Sequence, residues 1–308
     1  MASNPTPADD GVLSALAEDI ADGCALHEVV IDIKQNTETV IRAAIAGVTA
    51  AKLTLGAART TLSGTAGLYD QVEAMDAAGL VVIRNCRLRL VKVLGTSYSP
   101  AWGQAGFPNQ STAVPDTRDQ RFTLLGALKA YFTANPSAES VDMEATAAIC
   151  NTAHTNVSNA RQAVNTGEQA VTDAKAAEAA AMKTLRKRVR GLIDELGQLL
   201  ADDDSRYEAF GLNIPAQPSA PEGIASLTAV AQGGGKFHGS WPYATRMTGT
   251  RIMGKHIGVD DEPHSLGTAE GLEKTFTGLA PGQWELSAIS YNEGGDGPAS
   301  PTITINIT

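Results

Sequence analysis

Apolar residues fall at Leu185, Val189, Leu192 with Ile193, Leu196 and Leu199 along the stretch from Met182 to Phe210, MKTLRKRVRGLIDELGQLLADDDSRYEAF. That spacing predicts one buried stripe on a helix, with the charged residues between on the opposite face. Shifted back by 103 residues, the pattern recurs as Val82, Cys86, Leu90 and Val93 in VVIRNCRLRLVKVLG. Both copies carry basic residues between the apolar ones, and each runs on to an aromatic residue, Phe107 or Phe210. Residues 36–107 align with 139–210 without a gap, and Gly64 and Gly167 share one position. The helical part is therefore expected to be an internal duplication of one unit.

Taken in order, residues 1–10 are expected as a flexible tail. A short amphipathic helix carries Leu13, Leu16, Ala17 and Ile20, with Asp9 or Asp10 as its cap. The first unit places Ile41, Ile45, Val48, Leu55 and Leu62 on one face, and Gly95 to Pro108 reads as a loop rich in glycine and aromatics. Phe122, Leu125, Leu128 and Phe132 give another short helix, closed at Asn135-Pro136. The second unit has Met143, Ala147, Cys150, His154, Val157, Val164 and Val171 as its stripe. These helices are dominated by Ala, Thr, Gly, Asn and Val. Such side chains let backbones approach closely but bury little area each, so stability must come from extended contact, within the chain or with another copy. A hairpin bent at Gly64 and at Gly167 is the favoured reading of each unit, since two hairpins build a four-helix bundle. One nearly continuous helix is the alternative.

The pattern changes at Leu212. PAQPSAPEG over 215–223 predicts a proline-rich linker, placed at 212–221, and strand alternation with turns follows from Ile224. Leu227 and Val230, then Phe237 and Trp241, then Thr250 to Met253 mark the first strands, and the clearest run is Lys274 to Thr308. Within that run, Phe276, Gly278, Leu279, Pro281, Gly282 and Trp284 precede Leu286, Ala288 and Ser290, and Gly295, Gly297, Pro298 and Ser300 follow. With Trp241-Pro242 upstream, this pattern resembles a fibronectin type III domain. The resemblance implies an immunoglobulin-like β-sandwich over 222–308, with Trp241, Leu279, Trp284 and Leu286 in its core. The family usually has tyrosine where Trp284 stands, its hydroxyl tying a corner to the backbone, so a rearranged corner is expected. Such domains serve as spacers, adhesive surfaces and carbohydrate-enzyme accessories, and the chain has no Arg-Gly-Asp for integrin-type recognition.

The fold class is thus multidomain α and β: an all-helical bundle over 11–211, with Leu185, Val189 and Leu196 in its core, followed by the sandwich. At 308 residues and 32.0 kDa, two or three domains are the natural expectation. A net charge of -10 argues against nucleic acid as a partner, which needs a basic field. Cys24, Cys86 and Cys150 form neither a disulfide framework nor a zinc site by spacing and read as buried thiols. No basic, apolar leader opens the chain and no long uncharged apolar run crosses it, so no membrane insertion and a cytoplasmic location are the default expectations.

The one cluster with ligand chemistry is KHIGVDDEPHS, where His256, Asp260 and His264 are a weak metal candidate and an exposed loop is the stronger reading. The basic run Arg186, Lys187, Arg188 and Arg190 reads as a solvated face paired with Asp202-Asp203-Asp204 of a neighbouring helix or subunit. His154 sits on an apolar stripe as a packed histidine. No nucleophile, acid/base pair or cofactor fingerprint is present, so no enzyme and no cofactor are expected. The expected role is a structural or interaction protein that self-associates through its helices and displays the sandwich. The alternatives are a monomeric module gripping a protein or glycan, and an accessory subunit of an enzyme.

Overall fold

The computed structural model describes residues 4–308. It consists of an N-terminal helical bundle and a C-terminal β region of two antiparallel sheets. Two compact units partition the chain: Met1–Ala51 with Glu178–Thr308, and Lys52–Ala177.

Helix α1 (Asp10–Ile31) starts under Asp9, whose carboxylate accepts from the backbone N–H groups of Gly11 and Val12, both at 2.9 Å. It ends at Asp32 in the left-handed region, φ 70°. Helix α2 (Glu38–Ser63) is followed by α3 (Leu68–Leu94) after a four-residue break. The break has a local cause. Gly64 and Gly67 weaken the helix, Ala66 adopts φ 59°, and the Asp70 carboxylate caps the Ala66 N–H at 3.0 Å. The expected loop from Gly95 to Pro108 contains a short helix, α4 (Pro100–Gln104), because Pro100 is preset for a first helical position. Helix α5 (Arg118–Ala134) is capped by Thr117, and α6 (Ala147–Leu199) runs for 53 residues before a 3-10 turn at Ser205–Phe210.

The hairpin expected in the second unit does not form. Helix α6 passes straight through Gly167, where a Cβ would come within 2.7 Å of Leu68 Cδ1 and 3.1 Å of Leu62 Cδ1. That glycine serves a close helix–helix approach rather than a turn. The break at 64–67 interrupts a helical stretch that otherwise runs from Glu38 to Leu94, with Leu62 before it and Leu68 after it both against Gly167. Helix α3 then runs antiparallel to α6, with Gly79 beside Val157 and Cys86 beside Cys150.

Each unit has its own helical core. In the first, Leu13, Leu16 and Ile20 of α1 pack with Ile41 and Val48 of α2, Leu185, Val189 and Leu196 of α6, and Phe210. In the second, Ile83, Cys86 and Leu90 of α3 pack with Trp102, Phe107, Leu125, Leu128, Phe132 and Cys150. Trp102 meets Phe107 edge-on at 4.9 Å.

The C-terminal strands are β1 (Thr228–Ala231), β2 (Lys236–Ser240), β3 (Gly249–His256), β4 (His264–Ala269), β5 (Glu273–Thr277), β6 (Gly282–Asn292), β7 (Gly295–Ala299) and β8 (Ile303–Ile307). One sheet has the order β1-β2-β5; the other has β4-β3-β6-β7, with β8 also on β6. All pairs are antiparallel, and β3 registers on β6 with Ile252 opposite Ala288 and Gly254 opposite Leu286. Phe237 and Phe276 from one sheet share a buried cluster with Ile252, Trp284, Leu286 and Ala288 from the other, and Trp241 and Leu279 join it. Alternation along β6, from Trp284 to Ser290, sends every second side chain inward.

The proline-rich stretch is packed against its surroundings. Leu212 and Asn213 are buried, Asn4 exchanges two hydrogen bonds with the Asn213 backbone, and the Asn292 amide donates to Ser219 O and Arg246 O, both at 2.9 Å. Polar backbone in a tight crossing must find partners, and here asparagine amides supply them.

Candidate interaction surfaces

The metal candidate is assembled around an indole. His256 lies at the end of β3 and His264 at the start of β4, so the turn between them brings both rings to Trp284 on β6. His256 stacks on Trp284 with centroids 4.8 Å apart and planes 5° apart, while His264 meets it edge-on at 5.9 Å. Asp260 Oδ2 accepts the His256 backbone N–H at 2.7 Å and lies 3.4 Å from His264 Nδ1. The three residues do come together, but their geometry is that of a closed turn on an aromatic face. Among the described residues, no group of three or more His, Cys, Asp or Glu side chains is arranged to hold a metal ion. The tryptophan also makes the corner: its Nε1–H donates to Ala280 O at 2.9 Å, so the indole ties the strand to the preceding turn.

A cleft of about 380 Å³ opens where the β region meets α1 inside the first unit, lined by Pro7, Leu16, Leu212, Arg246, Met247 and Tyr291 among others. Arg246 takes φ 66°, and its Nε is buried without a hydrogen-bond partner. Its other nitrogens reach Ala220 O at 3.4 Å and Glu208 Oε1 at 4.0 Å. Behind the cleft, Asp19 of α1 has one carboxylate oxygen buried without a partner. Burial, reinforced by Asp22, Glu222 and Glu18, lifts its carboxyl to about 6. Burial and then Asp19 push the Tyr243 phenol up as well. Neither Asp19 nor Arg246 was marked by the sequence, since nothing in local pattern distinguishes a buried Asp on α1 from an exposed one.

The basic run divides. Arg186 is consumed internally, donating to Pro7 O, to Ala8 O at 3.0 Å and to Asp10 at 2.8 Å. Lys187 and Arg190 are exposed on α6. Of the acidic run Asp202-Asp203-Asp204, Asp204 forks onto Arg206, its Oδ2 2.6 Å from Nη2. His154 is half-buried and stacked on Phe122 at 4.2 Å, and burial followed by Lys129 lowers its pKa.

The long helices bury narrow stripes. On α2, Ile41, Val48 and Leu55 are enclosed, while Leu53 is 71% exposed among exposed Ala, Thr and Gly. The helical stretch Glu38–Leu94 contains an 18-residue window long and apolar enough to cross a membrane by length and composition, of which 17% is buried. Arg42 on this stretch is held by Glu38 at 2.7 Å, Asp22 at 2.9 Å and Glu18 at 3.7 Å.

No family model matches the sequence, and no curated protein does. Among solved structures, the C-terminal region is similar to the FN5 domain of Drosophila Lar, at 23% identity and TM-score 0.26, covering 28% of this chain and 96% of that one. It is similar to the chicken CNTN1 FN1-FN3 domains at 18% identity and TM-score 0.28, covering 29% of this chain and 33% of that one. A titin kinase with its flanking domains matches at 11% identity and TM-score 0.27, and this chain spans only 18% of that structure.

Proposed function

We propose that this chain is a non-enzymatic structural or interaction protein that self-associates through its helical part and displays a fibronectin type III-like sandwich. The observation that carries this reading is the apolar window on the long helices with 17% of it buried. Small side chains on that face allow a second copy to approach closely, and lateral contact would remove Leu53 from water. Arg42, held by three carboxylates, favours an aqueous setting for this face over a lipid one. A cytoplasmic location, the boundaries 11–211, 212–221 and 222–308, and closure of the two sheets into a sandwich belong to the same reading.

Tandem duplication accounts for the succession of helices. A short helix, a long helical stretch and a compact turn ending on a buried aromatic occur twice, closing at Phe107 and at Phe210. Superposing experimental coordinates of 36–107 on 139–210 tests it, and unrelated helix directions would remove it.

Self-association is tested by sedimentation velocity and negative-stain imaging of the purified chain. Oligomers that grow with concentration, and that Leu53→Glu weakens, are expected. A 32.0 kDa monomer at every concentration would refute the proposal and leave the sandwich as a monomeric binding module.

A further inference from the structure

In the unit Lys52–Ala177, Cys86 of α3 and Cys150 of α6 face each other with their sulfurs 3.4 Å apart. Both side chains are fully enclosed, among Ile83, Leu125 and Phe132. We propose that this pair is an oxidative cross-link site, at which a small-molecule disulfide joins the two thiols and staples α3 to α6.

The positions are suited to the bond. The sulfurs must close to roughly 2.0 Å, a shift that side-chain rotation on two packed helices can supply. The stapled residues lie 64 apart in sequence, so the bond closes a long loop and constrains the unfolded chain. The step balances with oxidised glutathione as the oxidant. One thiolate attacks it and releases one glutathione thiolate. The second cysteine then attacks the mixed disulfide and releases another. Two electrons pass to the oxidant, and the two cysteine protons end on the two released glutathiones. The closed state resists the first attack, because the mutual hydrogen bond and then burial hold the Cys86 thiol protonated. Cross-linking therefore proceeds while the chain folds or when the helix ends open.

Cys24 supplies an internal control. It is buried in the other unit, where its sulfur reaches Asn36 O at 3.7 Å. Along the chain it lies slightly nearer to Cys86 than Cys150 does, so random closure would not prefer the proposed pair.

The test refolds the full chain from denaturant with oxidised glutathione, quenches with acid, and alkylates the remaining thiols under denaturing conditions. One alkylated cysteine of three is expected, with a tryptic fragment linking Cys86 to Cys150. The melting temperature should rise above that of the reduced chain and return on adding reductant. Three alkylated thiols, stalled glutathione adducts, or a bridge through Cys24 would each overturn the proposal. Cys86→Ser and Cys150→Ser should each keep two alkylatable thiols and show no melting response to the oxidant. If either variant fails to fold, the labelling of the unmodified chain decides alone.

Discussion

Glu195 is the residue whose removal tests the fold most directly. Its carboxylate accepts from Lys34 N at 2.7 Å, Gln35 N at 3.0 Å, Asn36 N at 3.2 Å and Asn36 Nδ2 at 3.0 Å. The turn between α1 and α2 is thereby fastened to α6 by one side chain. Burial acts to raise the Glu195 pKa, but these four donors outweigh it and hold the carboxyl below its ordinary value. The amides of Lys34 and Gln35 are exposed, and water replaces the carboxylate there at little cost. The two Asn36 bonds are partly buried, and Asn36 is 6% exposed. Two charge-assisted bonds at about 1.5 kcal/mol each make Glu195→Ala about 3 kcal/mol destabilising. In a unit of about 150–250 residues that is roughly 6–12 °C in melting temperature. Calorimetry gives the shift, and hydrogen exchange at the amides of 34–36 shows whether the turn itself has loosened. The pH dependence provides an independent sign. A depressed native pKa contributes stability above the unfolded value of 4.5, and that stability is lost as pH falls through the native pKa. The gap between wild type and Glu195→Ala should therefore narrow in acid. A difference below about 0.5 kcal/mol at neutral pH, the range of an ordinary surface substitution, would refute the reasoning.

Asp19 has the opposite sign. With its native pKa raised from 3.8 to about 6, its stabilising protonation is complete below 3.8 and is lost as pH rises through 6. Asp19→Asn should thus raise the unfolding free energy at pH 8 by about 1–2 kcal/mol after discounting for partial solvent access, and leave it unchanged near pH 3.5; a stabilisation independent of pH counts against the buried charge. Trp284→Phe removes the bond to Ala280 O and part of the histidine stack, and should cost about 2 kcal/mol in a urea titration. An unchanged midpoint would mean the corner is held without the indole. At Gly106, φ 92° and a Cβ position 2.2 Å from Ala127 Cβ leave no room for a side chain. Gly106→Ala should cost about 2–4 kcal/mol by thermal melting, and a neutral variant would show that α5 shifts freely.

Local pattern carried much of the fold. The stripes of Leu185, Val189 and Leu196, and of Leu125, Leu128 and Phe132, declare helices with one buried face because the 3.6-residue period is written in sequence order. The alternation of Trp284, Leu286 and Ala288 declares an inward strand face for the same reason. Gly167 misled, since a glycine that permits a bend and one that permits a close contact look identical until the neighbour, Leu68, is in place. Strand β4 was hidden because HSLGTA has one large apolar residue and a glycine and so no clear alternation, and only pairing with β3 makes it a strand. The other decisions are long-range. The four bonds of Glu195, the buried oxygen of Asp19 and the approach of Cys86 to Cys150 each join residues distant along the chain. Periodicity specifies which side of an element is buried; which polar group or thiol it meets there depends on how the elements pack.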